Sequence, residues 1–90
     1  MTKILAKIKI MPASPETDLQ KIKEDAEIAI KELGGELNSS EEEEVAFGLK
    51  ALILTIISSE DQGTEPLETK LAEIENVNSV QVIDFRRAIG

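Results

Sequence analysis

The side chains that could do chemistry in this chain are carboxylates, lysines and two arginines. Its 90 residues contain 18 aspartates and glutamates, 10 lysines and arginines, and neither cysteine nor histidine. This composition excludes disulfides, the usual zinc sites and histidine-based catalysis. No remaining residue type is naturally poised to exchange protons near neutral pH. The composition therefore favours a protein that acts by binding, without a metal or other cofactor, over one that performs covalent chemistry.

Four consecutive glutamates at positions 41–44 are the densest group of possible cation ligands. Neighbouring side chains of a strand point to opposite faces, so four carboxylates in a row do not converge on one ion. A solvated sheet edge is the better interpretation, because charge on an edge strand blocks unwanted pairing. We expect this edge strand to be short or frayed, since glutamate is poor strand material.

The net charge of −8 argues against general binding to nucleic acid, which needs a basic face. The longest apolar run, at positions 52–57, is interrupted by Thr55 and is far shorter than a membrane span. The N-terminus begins directly in an alternating pattern and shows no signal-peptide organisation. We therefore expect a cytoplasmic protein that binds neither membranes nor nucleic acid directly.

The elements that position these residues follow from hydrophobic periodicity. Residues 3–11 alternate between apolar and mostly basic side chains, as in a half-buried strand. Thr17 and Gln20 resemble a capping box that opens an amphipathic helix, which ends at Gly34 and Gly35. Phe47 and Gly48 mark a tight turn. Residues 49–57 are apolar on both faces, which is typical of a central strand.

The second half of the chain repeats this organisation. A polar loop is predicted over residues 58–63, and Thr64 with Pro66 begins a shorter helix. Residues 76–78 turn the chain, and a final strand runs from Val80 to Phe85. The resulting order, βαββαβ, predicts a ferredoxin-like α+β sandwich with a four-stranded antiparallel sheet and two helices on one face. We expect residues 1–90 to form a single domain.

That fold leaves one sheet face without helices and hosts many functions. The apolar outer side of the central strand needs a cover, which lysine stems, a partner or self-association could supply. RNA-binding domains of this shape stack bases on aromatic side chains, but this chain has only two phenylalanines and no other aromatic residue. A small-ligand regulatory or protein-interaction module remains an open alternative.

Several segments resemble the exchange domain of elongation factor 1-beta, in the order and spacing of that family and across nearly the whole chain. They read IKIMP at 8–12, ETDL at 16–19, AFGLK at 46–50, VNSV at 77–80 and FRR at 85–87. Archaeal members consist of the exchange domain alone, and the short chain resembles those. The resemblance implies a guanine nucleotide exchange factor that promotes GDP release from elongation factor 1-alpha during translation elongation. We expect it to act as a monomer and to perform no covalent chemistry itself.

The resemblance also implies two contact regions. Phe47 matches an aromatic of the hairpin turn that packs on the GTPase, and Gly48 and Lys50 flank that turn. Near the C-terminus, a basic side chain of the family reaches toward the Mg²⁺ site of the GTPase. Arg87, two residues beyond Phe85, matches that position, although the family has lysine there. Arg86 stands beside it and is the other candidate cation.

Overall fold

The computed structural model describes residues 3–59 and 63–88, except for the side chains of Phe47 and Ala88. The predicted element order is confirmed. The strands are β1 (Lys3–Pro12), β2 (Glu36–Glu44), β3 (Lys50–Ser59) and β4 (Val77–Ala88); the helices are α1 (Leu19–Glu32) and α2 (Glu65–Ala72), and a single 3-10 turn (Ala46–Gly48) joins β2 to β3.

The four strands form one antiparallel sheet in the order β2-β3-β1-β4. This is the topology of the ferredoxin-like α+β fold, so the predicted fold class is confirmed. β3 and β1 are the two central strands, and for β3 this position was predicted from its two apolar faces. The edges of the sheet are β2 and β4.

Strand β1 alternates as predicted. Ile4, Ala6, Ile8 and Ile10 are fully buried, and the residues between them are exposed or half-buried. Ile8 and Ile10 pack with the inward residues of β3 and with residues of both helices, namely Ile22, Ala26, Ala29, Ile30, Leu67 and Leu71. One face of the sheet is therefore covered by both helices, and the core lies between them and the sheet.

The start of α1 differs from the prediction. Asp18, and not Thr17, is the N-cap, and its Oδ1 accepts a hydrogen bond from the amide of Gln20 at 3.0 Å. The hydroxyl of Thr17 instead accepts from the amide of Ser14 at 3.3 Å and so belongs to the preceding loop. Both residue types are good N-caps, and the path of the loop after Pro12 decides which one occupies the position.

Strand β2 is longer than expected. It pairs with β3 from Glu36 to Glu44 and is neither short nor frayed, so that prediction was wrong. The backbone hydrogen bonds depend on β3, a strong central partner, whereas most of the β2 side chains remain in water. Poor intrinsic strand propensity is therefore overridden by the pairing.

Two predicted loops are also shorter than expected. Ser58 and Ser59 still belong to β3 instead of the following loop, and β4 already begins at Val77. The turn before β4 centres on Asn76, which has a φ of 69°. Asparagine tolerates this left-handed conformation better than most residues, which explains its position there.

The sheet face without helices is covered by side chains of its own strands. Lys9 and Ile53 pair across β1 and β3, and Ile53 pairs with Glu41 of β2. The Lys9 Nζ lies 3.8 Å from Oε1 of Glu43, so this ion pair spans from β1 to β2 across β3. Ile53 is only 7% exposed as a result. Of the covers considered above, lysine stems account for this part of the face.

Candidate functional site

The turn between β2 and β3 presents the first group of predicted site residues. The amide of Val45 donates to the carbonyl of Leu49 at 2.9 Å, and the amide of Leu49 donates to the carbonyl of Ala46 at 3.2 Å. These bonds close the turn and place Phe47 at its tip. The side chain of Phe47 lies outside the described part of the chain, so its predicted contact role remains a prediction.

Gly48 is required by the backbone of this turn. Its φ is 75°, and a Cβ atom built there meets no atom within 4 Å. The space would admit a side chain, but the left-handed conformation disfavours one. Gly48 therefore shapes the turn through its backbone freedom, and its predicted part in partner binding stays a prediction.

A shallow cavity of about 170 Å³ joins this turn to the loop after β1. Its lining residues are Pro12, Ser14, Pro15, Thr17, Leu19, Gly48 and Lys50. Lys50 is exposed at the first position of β3. The hairpin turn and the loop between β1 and α1 thus form one end of the molecule, which we call the hairpin end.

The second group of predicted residues lies on β4. Phe85 pairs with Ala6, Arg86 with Leu5 and Arg87 with Ile4, so all three lie near the start of β1. The side chains of Arg86 and Arg87 are exposed, and Phe85 is 52% exposed although it is a large apolar residue. We call this region the tail end.

The two arginines occupy opposite sides of the sheet. Arg86 pairs with Leu5 and lies on the face without helices, whereas Arg87 pairs with the buried Ile4 and lies on the helix-covered face.

Asp84 holds Arg86 and the backbone of Phe85 in the tail end, although the sequence had not indicated it as a site residue. Its Oδ2 accepts a hydrogen bond from Nε of Arg86 at 3.1 Å, and its Oδ1 accepts one from the amide of Phe85 at 2.9 Å. Positions 84 and 86 share a face of a strand, so the i, i+2 spacing of opposite charges was the signal that could have found this pair.

The structure does not bring the two groups of residues together. Arg87 pairs with Ile4 of β1, and Leu52 of β3 pairs with Ile10, which lies six residues farther along β1. Lys50 lies two residues beyond Leu52 in the same direction. At roughly 3.3 Å per residue, the two ends are about 26 Å apart along the sheet. The molecule measures 41 Å in its longest dimension. A single partner that contacts both ends must therefore have a large surface.

The glutamates at positions 41–44 alternate across β2, as the sequence predicted. Glu41 pairs with the outward Ile53, and Glu42 pairs with Leu52 on the opposite face. Among residues 3–59 and 63–88, no cluster of acidic side chains has the arrangement of a metal site. In the same part of the chain, no helix is long and apolar enough to cross a membrane.

Comparison with known proteins gives a consistent result. The EF-1 guanine nucleotide exchange domain family matches residues 5–88. The chain is 47% identical over 89 residues to elongation factor 1-beta of Methanosarcina barkeri, covering 97% of this chain and 99% of the relative. It is 43% identical over 90 residues to elongation factor 1-beta of Methanocaldococcus jannaschii, covering 98% and 100% of the two chains. It is 41% identical over 88 residues to elongation factor 1-beta of Methanothermobacter thermautotrophicus, covering 97% of this chain and 98% of the relative.

These matches confirm the predicted resemblance and disfavour the alternative of a small-ligand regulatory module. The family is defined by nucleotide exchange and not by catalysis of a covalent reaction. With a matching fold and a match over nearly its full length, the chain belongs to the EF-1 guanine nucleotide exchange domain family.

Proposed function

We propose that this chain, as a single exchange domain over residues 1–90, promotes GDP release from elongation factor 1-alpha in the cytoplasm. The observation that carries the proposal is the family match over residues 5–88. The two exposed ends of the sheet supply the contact regions that such a partner needs. The chain itself makes and breaks no covalent bond in this mechanism.

The hairpin end anchors the factor on the GTPase. Phe47 stands at the tip of a short closed turn, and Gly48 holds the backbone of that turn in a left-handed conformation. An aromatic side chain on a rigid turn loses little conformational entropy when it inserts into a partner. Lys50 adds an exposed positive charge beside it.

The tail end disturbs the nucleotide site. A GTPase holds GDP largely through its phosphate-binding loop and a Mg²⁺ ion. A cation brought beside that ion disfavours the metal by charge repulsion, and GDP then loses a main anchor. Linkage requires the converse. Bound GDP and Mg²⁺ must weaken the affinity of the exchange protein for the GTPase as many fold as the exchange protein weakens the affinity for GDP and Mg²⁺.

We assign the acting cation to Arg87. The Nε of Arg86 lies 3.1 Å from Oδ2 of Asp84, and this pair holds Arg86 on the face of the sheet without helices. Arg87 also stands at the position that matches the basic residue of the family, two residues beyond Phe85. Arg86 then orients the tail end and does not enter the metal site.

Release of a fluorescent GDP analogue from elongation factor 1-alpha of the same organism tests the proposal. We expect Arg87→Ala to lower the maximal release rate at least about tenfold, because it removes the repelling charge. Phe47→Ala should mainly raise the factor concentration needed for half-maximal release, because it removes a docking contact.

Lys70→Ala is the matched control, because it removes one solvent-accessible positive charge from α2, which carries none of the residues of the two ends. It should leave both quantities unchanged within about twofold. If the Phe47→Ala and Arg87→Ala variants stimulated GDP release as well as the wild-type chain, the roles assigned to these two residues would be wrong. A wild-type chain that does not accelerate GDP release at all would refute the proposed function itself.

A further inference from the structure

The two free edges of the sheet are built differently. Five of the nine residues of β2 are glutamates, and such charge keeps other strands from pairing with an edge. In contrast, Asp84 is the single acidic residue among the twelve residues of β4. The β4 edge therefore lacks the protection by negative charge that the β2 edge has.

Exposed apolar side chains are concentrated on the same edge. In the described part of the chain, the exposed large hydrophobic residues are Ile28 of α1 and Ile83 and Phe85 of β4. Ile83 is 44% exposed and is the extra residue of a bulge, since Lys7 pairs with Asp84 while the adjacent Ile8 pairs with Val82. Two apolar side chains thus stand together beside Arg86 and Arg87.

The backbone of this segment is partly capped by a side chain. The amide of Phe85 donates to Oδ1 of Asp84 at 2.9 Å, in an exposed stretch of the edge strand. A strand added to this edge would exchange such a local bond for one to its own carbonyl oxygen. In the isolated chain, Asp84 satisfies this amide locally, which also restrains unwanted pairing.

We propose that residues 83–87 of β4 receive an extended segment of the GTPase, which adds to the sheet as a fifth strand. The inference rests on the proposed function and specifies how the tail end is held. The segment offers an apolar side chain to Ile83 and Phe85 and a carboxylate to Arg86. Residues 84–87 carry two guanidinium groups against one carboxylate, so this stretch is basic within an acidic chain.

The charge of the chain also indicates which kind of protein segment binds at the β4 edge. A second copy of this chain carries a net charge of −8, so mutual repulsion opposes pairing of two copies along β4. An acidic segment of a different protein meets the basic stretch without that penalty. Strand addition at residues 83–87 would also fix the position of Arg87 relative to the GTPase.

Amide hydrogen exchange of the wild-type chain, alone and with nucleotide-free elongation factor 1-alpha, tests the inference without any substitution. We expect the amides of Phe85 and its β4 neighbours to exchange at least about tenfold more slowly in the complex. The amides of the β2 edge should change by less than about twofold.

A pair of variants gives a second readout. Ile83→Lys places a charge on the proposed docking edge and should raise the half-saturating concentration for GDP release about tenfold, with the maximal rate retained. Ile28→Lys makes the same change at an exposed position of α1 and should have no effect. Thermal unfolding confirms that both variants fold.

The outcomes separate this inference from the proposed function. Complex formation and stimulated GDP release without slower exchange along β4 would overturn the strand addition alone. Absence of binding by the wild-type chain would overturn both proposals. Slower exchange along β4 that depends on the concentration of the chain alone, together with a dimer in sedimentation, would assign the edge to a second copy and overturn the GTPase as its occupant.

Discussion

At the scale of single residues, two aspartates decide local geometry through their side-chain oxygens. Asp18 accepts the amide of Gln20 and begins α1, and Asp84 accepts the amide of Phe85 and holds Arg86. In each case a short carboxylate satisfies a backbone donor that has no partner in its own element. Such contacts depend on the exact path of the backbone, so neither was predicted from residue type.

Removing the carboxylate of Asp18 should destabilise the fold. We expect Asp18→Ala to lower the free energy of unfolding by about 1 kcal/mol, because the first turn of α1 loses its cap. Asp18→Asn is the matched control and should cost only a few tenths of that, since asparagine caps nearly as well. Urea unfolding followed by circular dichroism measures both. Equal losses in the two variants would contradict the capping role.

At the scale of elements, β2 combines an unfavourable sequence with a stable position. Glu41 and Glu43 lie on the same outer face of the strand, where their charges repel each other. Glu43 also reaches Lys9, so its charge is partly compensated. The strand persists because its backbone pairs with the central β3. Charge of this kind on an edge strand opposes pairing with other strands.

Replacing one of these glutamates should stabilise the strand. We expect Glu41→Thr to raise the free energy of unfolding by about 0.5 kcal/mol, because it removes repulsion and places a β-branched residue opposite Ile53. The gain should shrink in high salt, which screens the repulsion.

Glu43→Thr provides the comparison, because it removes the same charge but also the ion pair with Lys9. Its gain should therefore be smaller than that of Glu41→Thr. Thermal unfolding of the three proteins at low and high salt measures these differences. An equal gain from both substitutions would mean that the pair with Lys9 contributes nothing.

At the scale of the whole molecule, the sheet separates the hairpin end from the tail end by about 26 Å along its strands. No described residue outside these two ends combines exposure with a role implied by the family. The predicted contact residues therefore lie at two ends of a molecule that is 41 Å long. In the proposed mechanism, docking and the action at the metal site accordingly belong to different residues.

That separation predicts additive effects. Distant sites rarely couple, so the free-energy effects of Phe47→Ala and Arg87→Ala should add. The efficiency of GDP release by the combined variant should therefore fall by the fold-change of one single variant multiplied by that of the other. Rates measured over a range of factor concentrations give the efficiency of each variant. A combined loss no larger than that of Arg87→Ala alone would show that the two ends act as one unit.

Much of the fold could be predicted because its patterns are local. The alternation of β1, the apolar stripe of α1 and the two apolar faces of β3 each identify an element within about a dozen residues. The strand order then follows from the short and right-handed connections. The extent of β2 could not be predicted, because its glutamates have poor strand propensity and only the pairing with β3 overrides it.

By itself, the sequence determined the βαββαβ order, the absence of thiol and imidazole chemistry, and the match to the exchange domain family. The tertiary structure alone decided which face of the sheet each arginine occupies and that Lys9 reaches Glu43 across β3. The physical reason is that side-chain periodicity is local, whereas register depends on long-range pairing and on one bulge at Ile83. A shift of one residue there would exchange the faces of Arg86 and Arg87.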